Sequence, residues 1–243
     1  MPTGSPDYGL ITGQVNEPQS DDTLELAARE GVYIPYARSG NIIFNLHPVI
    51  FAQSSLFFGS GAWYWLPSTK YVFYGYDHSI KFTCISGPGA WAGAAFNPPI
   101  TNSQQYGLMV YFGTTALNAS MYFNCALNVS NVRHTAELRF TFSTGLLEYY
   151  GSDGNYHTIL TQGMSGFNSW PLILKYTFNL ATGRYGKLWF NTSTALDLSQ
   201  YSYNQQANLG ADSFACQVLM DNADSYQNYF YLQDAIVTIN EVI

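Results

Sequence analysis

The stretch from Trp170 to Ser199 constrains the fold of this chain more than any other. Residues 172–179 alternate between two sets of side chains, which point to opposite faces of a sheet when the backbone is extended. Gly183 supplies the positive φ of a tight hairpin turn, and Tyr185–Asn191 returns as the partner strand. Such a hairpin has an apolar face that a second sheet must cover. The alternating sets are Leu172, Leu174, Tyr176 and Phe178 against Ile173, Lys175, Thr177 and Asn179.

The chain after residue 31 is predicted to be strand after strand. Apolar and aromatic runs are separated by turns that contain glycine, asparagine or serine, and no helical period intervenes. This density of strands predicts an all-β fold, an antiparallel β-sandwich, in one domain over residues 32–243. Gly87–Pro99 and Leu196–Asp212 are predicted to be loops. The predicted strands are 32–37, 41–51, 62–66, 70–76, 79–85, 106–113, 119–129, 135–142, 146–151, 156–160, 172–180, 185–191, 214–220 and 229–239.

Residues 1–31 differ in character from the rest. Prolines and glycines without hydrophobic periodicity predict an extended N-terminal arm. One short helix is predicted at Asp22–Glu30, because Asp22 can cap it, Glu25 follows three residues later and Gly31 can end it. We expect the arm to join copies of the chain into a homo-oligomer or a larger assembly.

Composition narrows the setting in which the protein works. Only 10% of the residues are charged and 17% are aromatic, so the exterior must be largely uncharged and polar, with little long-range repulsion between copies. This favours a virion or extracellular surface, although no signal peptide is visible. The net charge of −7, with nine Lys and Arg, argues against a nucleic-acid partner. No apolar run reaches the roughly 18 residues of a membrane helix, so membrane insertion is not expected.

The three cysteines, Cys84, Cys125 and Cys216, are far apart and each lies in an apolar run. Free cysteine packs like a small hydrophobic residue, so three buried thiols are expected. One disulfide with one free thiol is the alternative.

The segment from Glu137 to Asn191 resembles the concanavalin A-like (laminin G, lectin and glucanase) jelly-roll superfamily. The resemblance rests on Leu147–Gly151, on the strand 156–160, on Trp170 and on the hairpin described above. The final strand, 229–239, is similar to the terminal strand of such folds, with Asp234 before an apolar run. The resemblance covers about the C-terminal 110 residues and implies a concanavalin A-like jelly roll, without specifying an activity.

Glycan-cleaving members of that superfamily carry two carboxylates on one strand in a Glu-x-Asp-x-x-Glu pattern. This chain lacks the pattern, and no two of its six glutamates lie within four residues of each other. The close pairs Asp21 with Asp22 and Asp221 with Asp224 are interpreted as solvated surface pairs. The chain is therefore predicted not to be an enzyme, and a carboxylate pair assembled from distant strands stays open.

Metal ligands are also sparse. The four histidines are isolated, so a transition-metal site is not expected. Asp153 and Asn155 could supply oxygen ligands to calcium, but they lack the spacing of a dedicated calcium-binding loop. They are interpreted as ordinary turn residues. The resemblance alone makes Asp234 a candidate calcium ligand, and no other cofactor is expected.

Aromatic residues are the strongest candidates for binding, because flat rings stack on sugar faces and anchor protein interfaces. Trp63 and Trp65 share one face of a strand, and sandwich core is the alternative interpretation for both. Trp91 lies in the glycine-rich segment and is expected to be accessible. Tyr74 and Tyr76 share one face of another predicted strand.

Three functional hypotheses follow, in this order. The first is a non-enzymatic structural or assembly protein with a lectin-like sandwich, at a phage virion surface or in an extracellular assembly. The second is a glycan-binding, lectin-type adhesion module. The third is a glycoside hydrolase without the usual motif.

Overall fold

A computed structural model describes residues 41–46, 57–68, 79–114, 119–161, 172–191, 194–208, 210–222 and 227–240. Within these ranges the regular structure is entirely β-strand, and all pairings are antiparallel, so the predicted all-β antiparallel sandwich is confirmed. No membrane-spanning helix is found in this part of the chain. The strands are β1 (Asn41–Leu46), β2 (Phe57–Ser68), β3 (Ser79–Phe96), β4 (Gln105–Thr114), β5 (Ala119–Val129), β6 (Val132–Thr141), β7 (Leu146–Tyr150), β8 (Tyr156–Thr161), β9 (Leu172–Asn179), β10 (Arg184–Phe190), β11 (Leu196–Asp197), β12 (Asn204–Ala207), β13 (Ser213–Asn222) and β14 (Asn228–Ile239).

The strands follow the order β11-β10-β9-β4-β14-β3-β13-β5-β6-β7-β8, and β1, β2 and β12 pair with β14, β3 and β6 respectively. The 18-residue strand β3 belongs to both layers of the sandwich. Its first half pairs with β14, and its second half, from Ala90, pairs with β13. The partner strand β2 changes register around Gly61, whose φ is +76°, so the hairpin bends where the chain passes from one layer to the other.

The core lies between the two layers and is rich in aromatic rings. Phe112 of β4 and Phe123 of β5 pack with their ring centres 5.1 Å apart. Phe140 of β6 and Phe190 of β10 lie 4.9 Å apart. The Tyr176 hydroxyl crosses from β9 to the other layer and lies 2.8 Å from a carbonyl oxygen of β6. These contacts confirm that two pleated layers press directly on each other.

The hairpin predicted from residues 172–191 is present as β9 and β10, and Gly183 has the expected positive φ of 66°. The predicted loop Gly87–Pro99 is wrong for most of its length, because β3 continues to Phe96. Gly93 pairs with Phe58 of β2 and with Leu219 of β13, and a local sequence pattern does not reveal these partners. The predicted loop Leu196–Asp212 contains the short strands β11 and β12.

Several predictions lie outside the described residues. They are the arm and helix of residues 1–31, the strands 32–37 and 70–76, and the end of the predicted strand 41–51. The domain limits at residues 31 and 32 therefore remain predictions. All three cysteines are buried and free, which confirms the expected thiols over the disulfide alternative.

Candidate functional site

A groove of about 380 Å³ lies on the outer face of the layer formed by the second half of β3 and strands β13, β5, β6, β7 and β8. We call it the outer groove. Outward positions occur at every second residue because inward side chains of these strands fill the core, as the burial pattern of β13 shows. Its described lining residues are Phe58, Trp91, Tyr122, Glu137, Tyr156, Gln217, Leu219 and Asp221.

Strand register places these side chains in successive rows across the sheet. Asp221 is the cross-strand partner of Trp91 in one row. Leu219 and Tyr122 are partners in the next outward row. Glu137 occupies a third row, on the strand beyond β5. The outer groove therefore runs diagonally over several strands, and its residues come from parts of the chain that are far apart in sequence.

Aromatic rings mark both ends of the outer groove. At one end, Phe58 packs edge-on against Trp91 with ring centres 5.0 Å apart. At the other end, Tyr156 approaches Tyr122 in an edge-on arrangement with ring centres 6.3 Å apart. The Arg139 guanidinium lies 3.8 Å from the centre of the Tyr156 ring and holds it by a cation–π contact. These neighbours give the rings defined positions before any ligand arrives.

Glu137 is held in place by neutral donors. The Asn124 side-chain amide and the Tyr156 hydroxyl each donate a hydrogen bond to its carboxylate. The nearby Arg139 bonds instead to Glu148, with Nε 2.9 Å from the carboxylate Oε2. Burial raises the pKa of Tyr156, and the negative charge of Glu137 raises it further, so this hydroxyl keeps its proton and remains a donor.

Asp221 has a different environment. Burial raises the pKa of its carboxyl above the usual value, because an enclosed carboxylate loses contact with water. Its Oδ1 atom is enclosed and has no hydrogen-bond partner within the described structure. Burial also raises the pKa of Tyr122, with a further contribution from the negative charge of Asp221. The interpretation of Asp221 and Asp224 as a solvated surface pair stays a prediction, because Asp224 lies outside the described residues; Asp221 itself is partly enclosed.

The predicted aromatic candidates have different outcomes. Trp91 lines the outer groove, half-buried on a strand rather than exposed on a loop. The backbone of Trp63 and Trp65 belongs to β2, and the structure describes their backbone only. Tyr74 and Tyr76 lie outside the described residues altogether. Of the five candidates, the structure thus places one in the site.

Most residues of the outer groove were not singled out from the sequence. Alternation within 119–129 and 214–220 marks Tyr122 and Gln217 as outward, but it does not show that β5 and β13 are neighbours. Glu137 and Asp221 are isolated in sequence and meet only through strand pairing. They line one groove from distant strands, as the alternative left open from sequence allowed.

Asp234, the candidate calcium ligand, is fully buried in β14 opposite Tyr111 of β4. The register of the two strands shifts between Leu232 and Asp234, which marks a bulge. The described residues contain no group of three or more His, Cys, Asp or Glu side chains placed to hold a metal ion. A calcium site at Asp234 stays a prediction.

A second groove, of about 450 Å³, lies at one end of the sandwich. Thr101, Ser103, His134 and Asp212 are among its lining residues, and its described lining includes no Trp, Tyr or Phe. His134 is buried, and burial lowers the pKa of its imidazole, so it is neutral at pH 7. The described lining of this groove offers neither flat rings nor an enclosed charge, so the outer groove is the stronger candidate for a binding site.

No protein-family model matches the sequence, and no curated protein is similar to it. Solved structures do share its fold. The carbohydrate esterase vb_24B_21 from Shiga toxin-encoding bacteriophage phi24B is 11% identical, with 83% of this chain and 100% of that chain covered and a TM-score of 0.53. The cellulose-induced protein Cip1 is 9% identical, with 80% and 96% covered and a TM-score of 0.52. The Emp47p carbohydrate recognition domain is 9% identical, with 83% and 97% covered and a TM-score of 0.49.

At these identities the likeness shows the fold alone. The chain has the antiparallel β-sandwich fold that the resemblance in its C-terminal half implied. The fold and the outer groove together define its class: a jelly-roll sandwich with a ring-lined groove on one outer face.

Proposed function

We propose that the protein is a non-enzymatic glycan-binding protein that holds an oligosaccharide in the outer groove. The observation that supports this most strongly is that the rings of Trp91, Tyr122 and Tyr156 line the same groove as the carboxylates of Glu137 and Asp221. Sugar rings have weakly hydrated faces that stack on aromatic rings, and hydroxyls that donate to carboxylates. A volume of about 380 Å³ is within the range of small-ligand sites.

The spacing of the groove favours an oligosaccharide over a single sugar. Glu137 and Asp221 are separated by two strand spacings and four residues of register, which places their Cα atoms about 16 Å apart. Trp91 lies beside Asp221, whereas Tyr156 lies beside Glu137. A chain of sugars can contact rings and carboxylates at both ends at once.

The same separation favours binding over hydrolysis. Glycosidases need two carboxyl groups roughly 5–10 Å apart across the scissile bond. With Cα atoms about 16 Å apart, the Glu137 and Asp221 side chains would have to lean toward each other to reach that range, and Glu137 is instead held by bonds to its own neighbours. We therefore propose that the groove binds the oligosaccharide without cleaving it.

We propose the surface of a virion or another extracellular surface as its location. An exterior poor in charge suits such assemblies, and the bacteriophage origin of one protein with this fold is in keeping with this setting. Assembly through residues 1–31 remains a prediction, because that segment lies outside the described residues.

A glycan array with neutral, amine-bearing and acidic oligosaccharides tests the proposal. Calorimetric titration of the best ligand should then show that Trp91→Ala weakens binding by about tenfold to a hundredfold, as expected for an aromatic anchor. Tyr122→Ala should also weaken binding, because Tyr122 lines the opposite end of the groove.

The matched control is Tyr229→Ala, which removes a partly exposed ring from β14 outside the outer groove. Its affinity should equal that of the wild type. Circular dichroism of each variant shows whether the strands persist. Absence of binding across the array, or equal loss in Tyr229→Ala, would contradict the proposal.

A further inference from the structure

The outer groove carries net negative charge. Its described lining includes Glu137 and Asp221 and no Lys or Arg. The nearest described cation, Arg139, is committed to Glu148 at 2.9 Å and to the Tyr156 ring. A ligand in the groove therefore meets two carboxylates without a free positive charge among the described lining residues.

The two carboxylates differ in their hydrogen-bond donors. Glu137 already accepts hydrogen bonds from Asn124 and Tyr156. Asp221 has an enclosed oxygen, Oδ1, with no donor in the described structure. A partly enclosed carboxylate with an unpaired oxygen is costly to keep charged, so a ligand that places positive charge beside Asp221 offsets part of that cost on binding.

The neighbour of Asp221 indicates the kind of donor. Trp91 is its direct cross-strand partner, and Phe58 supports the indole from the side. A cation beside an aromatic ring and a carboxylate gains from both contacts. A sugar that stacks on Trp91 and carries an ammonium group at its edge would satisfy both residues together.

Resting on the proposed glycan-binding function, we infer that the outer groove selects sugars with a free amino group, with Asp221 as the residue that recognises the ammonium. A glucosamine oligomer has this chemistry. N-acetylation of the same oligomer removes the positive charge, and a carboxylate or sulfate on the sugar adds repulsion from Glu137 and Asp221. The selection is thus electrostatic, whereas aromatic stacking supplies affinity that neutral sugars share.

The experiment compares glucosamine and N-acetylglucosamine oligomers of equal length by calorimetric titration at about pH 6, where most of the sugar amines carry a proton. The glucosamine oligomer should bind about tenfold more tightly or better, as expected for a charge-assisted hydrogen bond. The preference should decrease as salt is added but persist at physiological ionic strength, because the carboxylate is partly enclosed.

Asp221→Asn tests the residue. This substitution should bring the affinities for the glucosamine and N-acetylglucosamine oligomers to within about twofold of each other. It removes one negative charge and leaves the aromatic lining of the groove intact. Asp212→Asn is the control, since it removes the same charge from an exposed position outside the outer groove. Asp212→Asn should keep the full preference, which separates recognition at Asp221 from general attraction to an acidic protein.

The outcomes separate this inference from the function on which it rests. Binding of neither oligomer, nor of any array glycan, overturns the proposed function. Equal binding of both oligomers by the wild type overturns the amino-sugar inference and leaves glycan binding intact. A preference that survives Asp221→Asn overturns the assignment of Asp221.

Discussion

The hydroxyl of Tyr185 bridges the two layers of the sandwich and contacts both backbone polar groups of Glu137. It accepts a hydrogen bond from the Glu137 amide at 3.0 Å and lies 2.9 Å from the Glu137 carbonyl oxygen, to which it donates. It also lies 3.1 Å from the carbonyl oxygen of Tyr150. The side chain comes from β10 and is fully buried, so a core residue of one layer fixes the strand that carries a groove carboxylate on the other.

Tyr185→Phe should therefore destabilise the protein by about 1–3 kcal/mol, because buried backbone groups lose a hydrogen-bond partner while the ring remains. Urea unfolding measures the change. Tyr229→Phe is the control, because its hydroxyl bonds to the exposed side chain of Gln227 and its loss should cost less than about 0.5 kcal/mol. Equal effects of the two substitutions would show that the buried hydroxyl has no special role.

Gly93→Ala should be strongly destabilising. A Cβ atom at this position of β3 would lie 2.2 Å from the Val218 carbonyl oxygen and 2.6 Å from the Leu219 Cα, both of which are backbone atoms of β13. Backbone in a paired strand cannot move aside cheaply, so we expect a cost of about 1–3 kcal/mol. Thermal unfolding checks this against Gly210→Ala, whose Cβ would first meet the flexible Asn208 side chain, at 3.3 Å, and which should be tolerated.

Asp221 should make stability fall as pH rises. Burial raises the pKa of its carboxyl in the folded state above the usual 3.8, so the native protein binds the proton more tightly than the unfolded chain. The resulting stabilisation is present below the unfolded pKa and is lost as pH increases through the folded pKa. Relative to Asp221→Asn, the wild type should become less stable from about pH 4 upward.

Urea unfolding of both proteins over this pH range measures that difference. Asp153 contributes in the opposite sense, because its hydrogen bond with His157 lowers the pKa of its carboxyl to about 2. Both proteins keep Asp153, so the subtraction removes its effect. A difference between wild type and Asp221→Asn that does not change with pH would contradict the assignment.

The three cysteines should be unreactive in the native protein. Burial raises the pKa of the Cys84 thiol to about 12, with a further contribution from the charge of Asp221. Burial also raises the pKa of Cys216, whose sulfur lies 3.1 Å from that of Cys125. Since the thiolate is the reactive form, an aromatic disulfide reagent should label no thiol at neutral pH and three after unfolding in denaturant without reductant. A count of one after unfolding would indicate a disulfide.

Much of the fold could be predicted from sequence because strand alternation is a local property. The predicted strand Ala119–Val129 has the same bounds in the structure, and the hairpin around Gly183 forms as expected. The alternation weakens in β9, where Lys175 and Thr177 are buried along with the apolar residues. That layer is covered on both faces at these positions, and a local pattern does not report what covers a second face.

The outer groove could be predicted only in part. The aromatic ring makes Trp91 a candidate from sequence alone, but the surrounding glycines predict a loop where the structure has strand β3. Glu137 and Asp221 carried no signal, since nothing near either residue in sequence marks a site. Their relation depends on β5 lying between β13 and β6, and the β13–β5 pairing joins residues about 90 positions apart in sequence.

The sequence by itself determined which segments extend and which side chains face inward, because a period of two arises from the geometry of each strand alone. It also determined that the chain is poor in charge and rich in aromatic rings, because composition does not depend on folding. Only the tertiary structure decided that Trp91, Asp221, Tyr122 and Glu137 share one groove. Strand order and register depend on burial and strand pairing over the whole chain, so they cannot be read from any short stretch of sequence.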